Sequence, residues 1–368
     1  MKIAHLTSAH PRSDVRIFVK ECRSLARHGH AVSLVVADGR GDEARDGVAV
    51  MDVGRSEGRV ERILKVTRRV YRKAVELDAD VYHLHDPELL PVGLKLKRRG
   101  KTVVFDAHED VPKQILGKHY LYPWVRRILS WGFAHFEHYA CRRFDGVVTA
   151  TPYIRDKFLA INPRSVDINN FPMIGELENA VSWQDKANEV CYVGSIAQIR
   201  GIKELVRALE STQTPTRLNL VGGFAEARVE TEVRTYPGWS RVHALGVQDR
   251  LGVRDVLGRS VAGLVTLHPA PNYLDALPIK MFEYMSAGIP VIASNFDLWR
   301  TIVQESQCGL CVDPLNPAAI ASAIDYLINH RQEAEKMGRN GRQAVLSRYN
   351  WAREEIKLIE FYDRFPSA

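Results

Sequence analysis

At 368 residues the chain is long enough for two domains of ordinary size, each with its own buried core. Its 45% hydrophobic and 26% charged residues match soluble globular proteins, which excludes collagen-like, low-complexity and wholly disordered chains. The net charge of +7 is lopsided: residues 1–172 hold 30 Lys/Arg against 21 Asp/Glu, while 173–368 hold 21 against 23.

The chain opens on Met1-Lys2-Ile3-Ala4-His5, without a long apolar signal region, and no run approaches the roughly 18–20 apolar residues of a membrane-spanning helix. A cytoplasmic protein is expected. Lys2 to Thr7 reads as a strand, Val15 to His28 as a helix closed by Gly29, and Ala31 to Ala37 as a second strand. Between Arg55 and Lys73, eight basic residues (Arg55, Arg59, Arg62, Lys65, Arg68, Arg69, Arg72, Lys73) face only Glu57 and Glu61. Such a block is either a solvated helix face or a patch for an anionic membrane surface; a nucleic acid partner is not expected, because no aromatic and basic interleaving accompanies it.

Further strands are predicted at Val81 to Leu84, Thr102 to Asp106, Gly146 to Ala150 and Val166 to Asn169, with helical stretches such as Tyr122 to Arg143 between them. This alternation implies a parallel sheet covered on both faces. Asn169-Asn170-Phe171-Pro172 breaks the pattern, placing a junction over Asn170 to Lys186. The theme then restarts, with strands at Val190 to Val193, Arg217 to Val221, Val242 to Leu245, Gly263 to Leu267, Pro290 to Ala293 and Leu310 to Val312, and helices near 202–210, 250–259, 278–287 and 317–329. The fold class is therefore α/β, with two Rossmann-like doubly wound domains over 1–172 and 173–349 and a closing amphipathic helix, about 350–368, that packs back on the first. Ligands of such sheets bind outside the strand carboxyl ends, so the cleft between the domains is the expected site.

Five scattered cysteines give no disulfide framework. Cys308 and Cys311 have CxxC spacing, but no second pair or His cluster follows, and the segment reads as an apolar strand edge. The window from Asp275 to Ser294 is the richest: loop, helix from Pro278, stop at Gly288, strand from Val291. Lys280 and Glu283 share a helix face, and Asp275 precedes the positive end of the helix dipole. That arrangement suits a phosphorylated, polyhydroxylated ligand, with Lys280 on phosphate oxygens and Glu283 on sugar hydroxyls. A surface Lys-Glu pair capping a core helix reads the same residues equally well.

The Pro278-Ile279-Lys280-Met281-Phe282-Glu283-Tyr284-Met285 segment resembles the Glu-x7-Glu region of the retaining nucleotide-sugar glycosyltransferases of family 4, which have the GT-B fold, in the branch reading Pro-x-Lys-x-x-Glu-Tyr-Met. The likeness extends to His10-Pro11-Arg12-Ser13-Asp14-Val15-Arg16-Ile17-Phe18, His85-Asp86-Pro87, Phe105-Asp106-Ala107-His108-Glu109 and Tyr192-Val193-Gly194-Ser195 through Arg200-Gly201. It implies that Glu283 binds the nucleotide ribose and that Asp275, in place of the usual Glu, contacts the donor sugar. It also implies a diphosphate grip at Ser195 and Arg200. The family commonly has two cations there, so with Ser195 in one position Lys280 is expected to supply the second charge.

Gly194 and the Gly222-Gly223 pair, lacking Cβ atoms, let backbone approach a donor, or simply make tight turns. By resemblance, Gly246 and Val247 receive the base, His108 contacts the transferred sugar, and His10, Asp14 and Arg16 face the acceptor; helix capping by Asp14 with a structural Arg16 is the alternative. Lys20 and Glu21 read as structural, and His83 and His85 as buried or hydrogen-bonded strand residues. Adjacent residues of the His108-Glu109-Asp110 triplet do not converge easily on one ion, so no metal and no cofactor are expected. The expected reaction is metal-independent transfer of a sugar from a nucleotide sugar to an acceptor (a glycan, a lipid-linked or a small-molecule hydroxyl) in bacterial cell-envelope or exopolysaccharide assembly. A nucleotide-sugar 2-epimerase and a non-catalytic sugar-nucleotide-binding subunit are the competing readings; a nicotinamide oxidoreductase lacks its GxGxxG after the first strand.

Overall fold

The computed structural model describes residues 1–118, 121–178 and 181–366. Residues 179–180 of the expected junction and 367–368 of the expected closing helix lie outside the described residues. The chain divides into one unit formed by Met1–Asn170 with the chain from Arg353 on, and a second formed by Phe171–Ala352.

The first unit carries strands β1 (Lys2–Leu6), β2 (Ala31–Val36), β3 (Glu43–Arg45), β4 (Val48–Asp52), β5 (Val81–Leu84), β6 (Thr102–Ala107), β7 (Gly146–Thr149) and β8 (Ser165–Asp167). They form a sheet of order β3-β4-β2-β1-β5-β6-β7-β8. Every pairing is parallel except β3 with β4. That hairpin was not anticipated. Its signal was present as Asp46-Gly47, both at positive φ (53° and 78°) between paired Arg45 and Val48, the dipeptide that two-residue hairpins favour. The inner strands are buried throughout because crossover helices cover both faces, which is why they read as continuous apolar runs.

The helix expected over Val15 to His28 forms, but its first two turns, Val15–Cys22, are π-helical and only Arg23–Arg27 is α-helical. The Asp14 carbonyl accepts from both Phe18 N–H and Val19 N–H. A wider turn sets Arg16 in line with Lys20 and Glu21, four and five residues on, and all three are buried. The closing helix, Trp351–Tyr362, belongs to this unit from Arg353 on: Glu354 in its first turn accepts from the Asn169 N–H at 2.7 Å, and the Phe361 ring in its last turn lies where a Cβ on Gly146 would sit.

The second unit holds β9 (Glu189–Val193), β10 (Arg217–Val221), β11 (Val242–Gly246), β12 (Ala262–Val265), β13 (Val291–Ser294) and β14 (Gly309–Val312), all parallel, in the order β11-β10-β9-β12-β13-β14. Two apolar clusters, one led by Val190, Leu205 and Ile324 and the other by Phe282, Tyr284 and Trp299, fill this unit. Pro278 is the N-cap of helix Ile279–Ser286 rather than its first residue, and Gly288, at φ 71°, ends it as expected. Cys308 and Cys311 are held protonated, burial pushing the thiols up to about 12 and about 11. Among the described residues no helix is long and apolar enough to cross a membrane.

Gly263 of β12 lies under the Tyr284 ring, with Cγ only 2.2 Å from where a Cβ would stand. The Tyr284 hydroxyl is itself fixed, accepting from the Val193 N–H at 3.0 Å and donating to the Leu264 carbonyl at 3.3 Å. Gly263→Ala should therefore destabilise the second unit by about 1–3 kcal/mol in denaturant unfolding, the ordinary range for overpacking a core; an unchanged midpoint would show that the ring is free to move.

Candidate functional site

In each sheet the strand order reverses direction at one place, and there the crossover helices diverge and leave the carboxyl ends of the strands uncovered. In the second unit that place lies between β9 and β12. Just past β9 and β10, and at the last residue of β11, the backbone passes through Gly194, Gly222 and Gly246, all at positive φ (126°, 138° and 66°). The Gly194 N–H donates to Val221 O at 2.9 Å and the Gly222 N–H to Gly246 O at 2.8 Å, so the three strand ends form a stepped rim. A side chain at Gly222 is impossible, since its Cβ would lie 1.9 Å from Gly194 O. Gly201 likewise presses on the backbone just past β12, its Cβ position 2.1 Å from Thr266 O, and this closeness holds the loop carrying Arg200 at the end of that strand.

Two cations meet at Gly194. A Cβ placed there would lie 3.4 Å from Lys280 Nζ and 3.9 Å from Arg200 Nη1. Lys280 Nζ sits over the Tyr192 ring, 3.7 Å from its centroid, is enclosed at its tip, and has no hydrogen-bond partner among the described residues. Burial, then Arg200, hold its ammonium well below the usual lysine value, and Glu283 only partly opposes them. Arg200 Nη1 reaches Ser195 O at 3.5 Å, and the exposed Ser195 itself brings no charge.

Glu283 does share a helix with Lys280, but its partner is Arg250, whose Nη1 donates to Glu283 Oε1 at 2.7 Å while its Nε donates to Glu176 at 2.7 Å. Arg250 was missed because 33 residues separate it from Glu283 and nothing in the helix starting at Asp249 marks it. Asp275 lies in the turn before Pro278 and is partly exposed, and Val247 is almost fully exposed beyond the end of β11.

In the first unit the switch point lies between β1 and β5. Asp14 caps the helix that follows β1, accepting from the Arg16 and Ile17 N–H groups at 2.9 Å, and its second oxygen meets His10 Nδ1 at 3.3 Å. His10 also faces Asp86 at 3.5 Å. Burial disfavours its charged form, yet the carboxylates of Asp14, Asp86 and Asp106 outweigh it and raise the imidazole. The Asp14 carboxyl, despite burial, is held at about 2 by His10 and the Ile17 N–H.

Arg16 is buried, with Nε and Nη2 on the two Asp106 oxygens at 3.0 and 2.8 Å and Nη1 on Ile168 O at 2.6 Å. It acts on any ligand through what it holds. His108, just past β6 and partly exposed, places Nε2 2.9 Å from Asp106 Oδ2, so the cap, the ion pair and this imidazole form one network.

The amino-acid sequence matches two family models, "Glycosyl transferase 4-like domain" over residues 16–172 and "Glycosyl transferases group 1" over residues 174–344. The chain is 24% identical to phosphatidyl-myo-inositol mannosyltransferase of Mycobacterium leprae over 82% of its length and 78% of the relative. It is 26% identical to D-rhamnosyltransferase WbpZ of Pseudomonas aeruginosa, covering 75% of this chain and 71% of that one. Among solved structures it resembles sucrose-phosphate synthase from Thermosynechococcus elongatus (TM-score 0.80, 19% identity, 99% and 98% of the two chains). It also resembles Anabaena HepE in complex with UDP-glucose (TM-score 0.76, 15% identity, 99% of both chains). At these identities the structural likeness speaks to fold alone.

The depressed Lys280 ammonium has a measurable consequence. The unfolded chain keeps that proton up to about 10.5 while the folded site releases it earlier, so this group's contribution to stability rises with pH through that window and falls as pH drops. Lys280→Met should raise the thermal midpoint of the ligand-free chain at neutral pH, by about 2–4 °C for each kcal/mol relieved. The advantage should shrink as pH nears 10.5; a variant less stable than the parent at neutral pH would contradict the enclosed, unpaired cation.

Proposed function

The chain belongs to the group 1 glycosyl transferases and has the GT-B fold, and from that footing we propose the particulars of its reaction: transfer of a glycosyl group from a nucleoside-diphosphate sugar to an acceptor hydroxyl, with retention and with no metal at the phosphates. The observation that carries this reading is the pair of cations at Gly194, one of them enclosed and without a hydrogen-bond partner. A diphosphate laid on the glycine rim supplies the anion that Lys280 lacks. With no Cβ at Gly194 or Gly222, the phosphates can also approach the backbone closely.

As the glycosyl bond to the β-phosphate oxygen lengthens, negative charge gathers on the departing diphosphate. Lys280 and Arg200 are the groups assigned to hold it, stronger in their enclosed setting than in water. Glu283, kept in place by Arg250, accepts hydrogen bonds from the ribose, and Asp275 takes the donor sugar. The departing oxygen removes the proton of the incoming hydroxyl on the same face, which gives retention and leaves the protein the work of positioning. His108, oriented by Asp106, is assigned to the transferred sugar, and His10 with Asp14 to the acceptor. The UDP-glucose bound to HepE makes a uridine nucleotide the first donor to try. The named activities of the mycobacterial and pseudomonad relatives favour an acceptor in cell-envelope glycan assembly.

An anionic membrane surface is the partner we assign to the basic block. Its helical stretch from Arg59 exposes Val60, Ile63 and Leu64 beside Arg59, Lys65, Arg68 and Arg72, which is more apolar than a merely solvated face requires. Helix Pro123–Cys141 adds an exposed stripe of Trp124, Ile128 and Trp131, with both tryptophans about two-thirds exposed.

Glu283→Ala and Lys280→Ala should each lower donor-dependent turnover by about tenfold or more. Near-parental turnover in both would remove these roles. In liposome flotation at low salt the chain should prefer vesicles with anionic lipid, and Trp124→Ser with Trp131→Ser should weaken that preference; equal flotation with neutral vesicles would end the membrane assignment.

A further inference from the structure

Beneath the helix that follows β1, four side chains turn toward one another in the core of the first unit: His5 of β1, His83 of β5, His85 just past the end of β5, and Glu21 of the π-helical turn. His5 and His83 are paired across the two strands, and His85, two residues on, shares their face. All four are fully buried. Each offers one ligand atom, and the four atoms lie within 4.8 Å of one another. His5 Nδ1 is 2.8 Å from His85 Nε2, and Glu21 Oε2 is 3.9 Å and 4.0 Å from those two nitrogens. Ligands about 2.0–2.1 Å from a tetrahedral ion stand about 3.4 Å apart, so changes of about 0.6 Å in the separations among the His5, His85 and Glu21 atoms, and of at most about 1.4 Å in any other, bring this set around one ion.

Three of the four residues are tied down on their far side. His83 Nδ1 meets the Tyr362 hydroxyl at 2.7 Å, His85 Nδ1 meets Asp106 Oδ2 at 3.2 Å, and Glu21 Oε1 meets Arg16 Nε at 3.2 Å. A hydroxyl behind His83 and a carboxylate behind His85 are the outer partners that orient metal-binding imidazoles, while Arg16 lies behind Glu21 and His5 Nε2 has no hydrogen-bond partner among the described residues. On the inner side, His83 Nε2 and Glu21 Oε2 have no hydrogen-bond partner among the described residues, although an unpaired buried polar atom ordinarily costs about 1–3 kcal/mol. The neighbouring group of His85, Asp106 and His108 is a poorer candidate, because Asp106 is already neutralised by the two-point grip of Arg16.

We propose that His5, Glu21, His83 and His85 form a closed zinc site in the interior of the first unit. Three nitrogens and one carboxylate oxygen suit zinc, and four protein ligands leave no position for water or substrate, so the ion is structural. It pins β1 and β5 to the π-helical turn, and through Tyr362 to the closing helix. It is distinct from any metal at the donor phosphates, since its ligands belong wholly to the first unit and the proposed phosphate grip to the second.

The test uses the full chain, without an affinity tag, produced in zinc-supplemented medium and freed of loosely held metal by gel filtration in chelator. Elemental analysis should find close to one zinc per chain, and chain produced with cobalt instead should show the visible bands of a four-coordinate Co2+ ion. His83→Gln and His5→Gln should each lower zinc affinity by about 10–100-fold, while His330→Gln, on an exposed histidine, leaves the metal content unchanged. Metal-free wild-type chain with native circular dichroism would overturn the proposal, as would full zinc content in both ligand variants. The cobalt spectrum of the wild-type chain decides the matter even where a variant fails to fold.

Discussion

The second unit is organised around a missing atom. Gly222 and Gly194 approach so closely that any Cβ on Gly222 would overlap the Gly194 carbonyl oxygen. The close approach staggers the carboxyl ends of β9, β10 and β11 and turns their backbone outward. Everything chemical in the unit is placed relative to that rim. Arg200 is carried over it by a loop whose own glycine, Gly201, is pressed against Thr266. Lys280 arrives from the first turn of a helix and lies on Tyr192, so its charge is brought to the rim without a carboxylate to quench it. A cation left in that condition is a cost to the empty protein and an advantage once an anion arrives, because a low-dielectric setting strengthens whatever pairing is made.

The first unit solves the opposite problem. Its switch point is lined by carboxylates and imidazoles, and burying them without counter-charges would cost several kcal/mol each. Arg16 is the compensating charge. With its Nε–Nη2 edge on both Asp106 oxygens and Nη1 on Ile168 O, it fixes a carboxylate in the sheet core, and that carboxylate in turn fixes His85 and His108. The π-helical turn makes this possible, since the ordinary α-helical spacing would not bring Arg16, Lys20 and Glu21 to one buried line. Asp106 accordingly stays well below the usual carboxylate range while Glu21, buried beside it, is pushed well above.

Family membership and geometry meet unevenly. The matched models span both halves of the chain, and the solved relatives share its fold. The local departure from the pattern the chain resembles is Ser195, where a cation is common; Lys280 Nζ and Arg200 Nη1 both stand beside Gly194. Electrostatics explains how one can replace the other, because a phosphate oxygen responds to where a positive charge lies and not to which strand or helix delivered it.

By itself the sequence determined the architecture: strand runs and helical periods alternate twice, turn residues fall between them, and the paired parallel sheets follow because those patterns depend only on neighbours a few residues away. It also marked Gly194, Gly222, Lys280 and Glu283, since each sits at a strand end or in a helix's first turns. The Asp46-Gly47 hairpin was legible and overlooked. Only the tertiary structure decided the pairings: Arg250 with Glu283 across 33 residues, Arg16 with Asp106 across 90, and His83 with Tyr362 across 279. Charge and hydrogen bonding act over a few ångströms of space and carry no record of sequence separation, so which of many Arg, Asp and His residues meet is fixed only when the chain has folded.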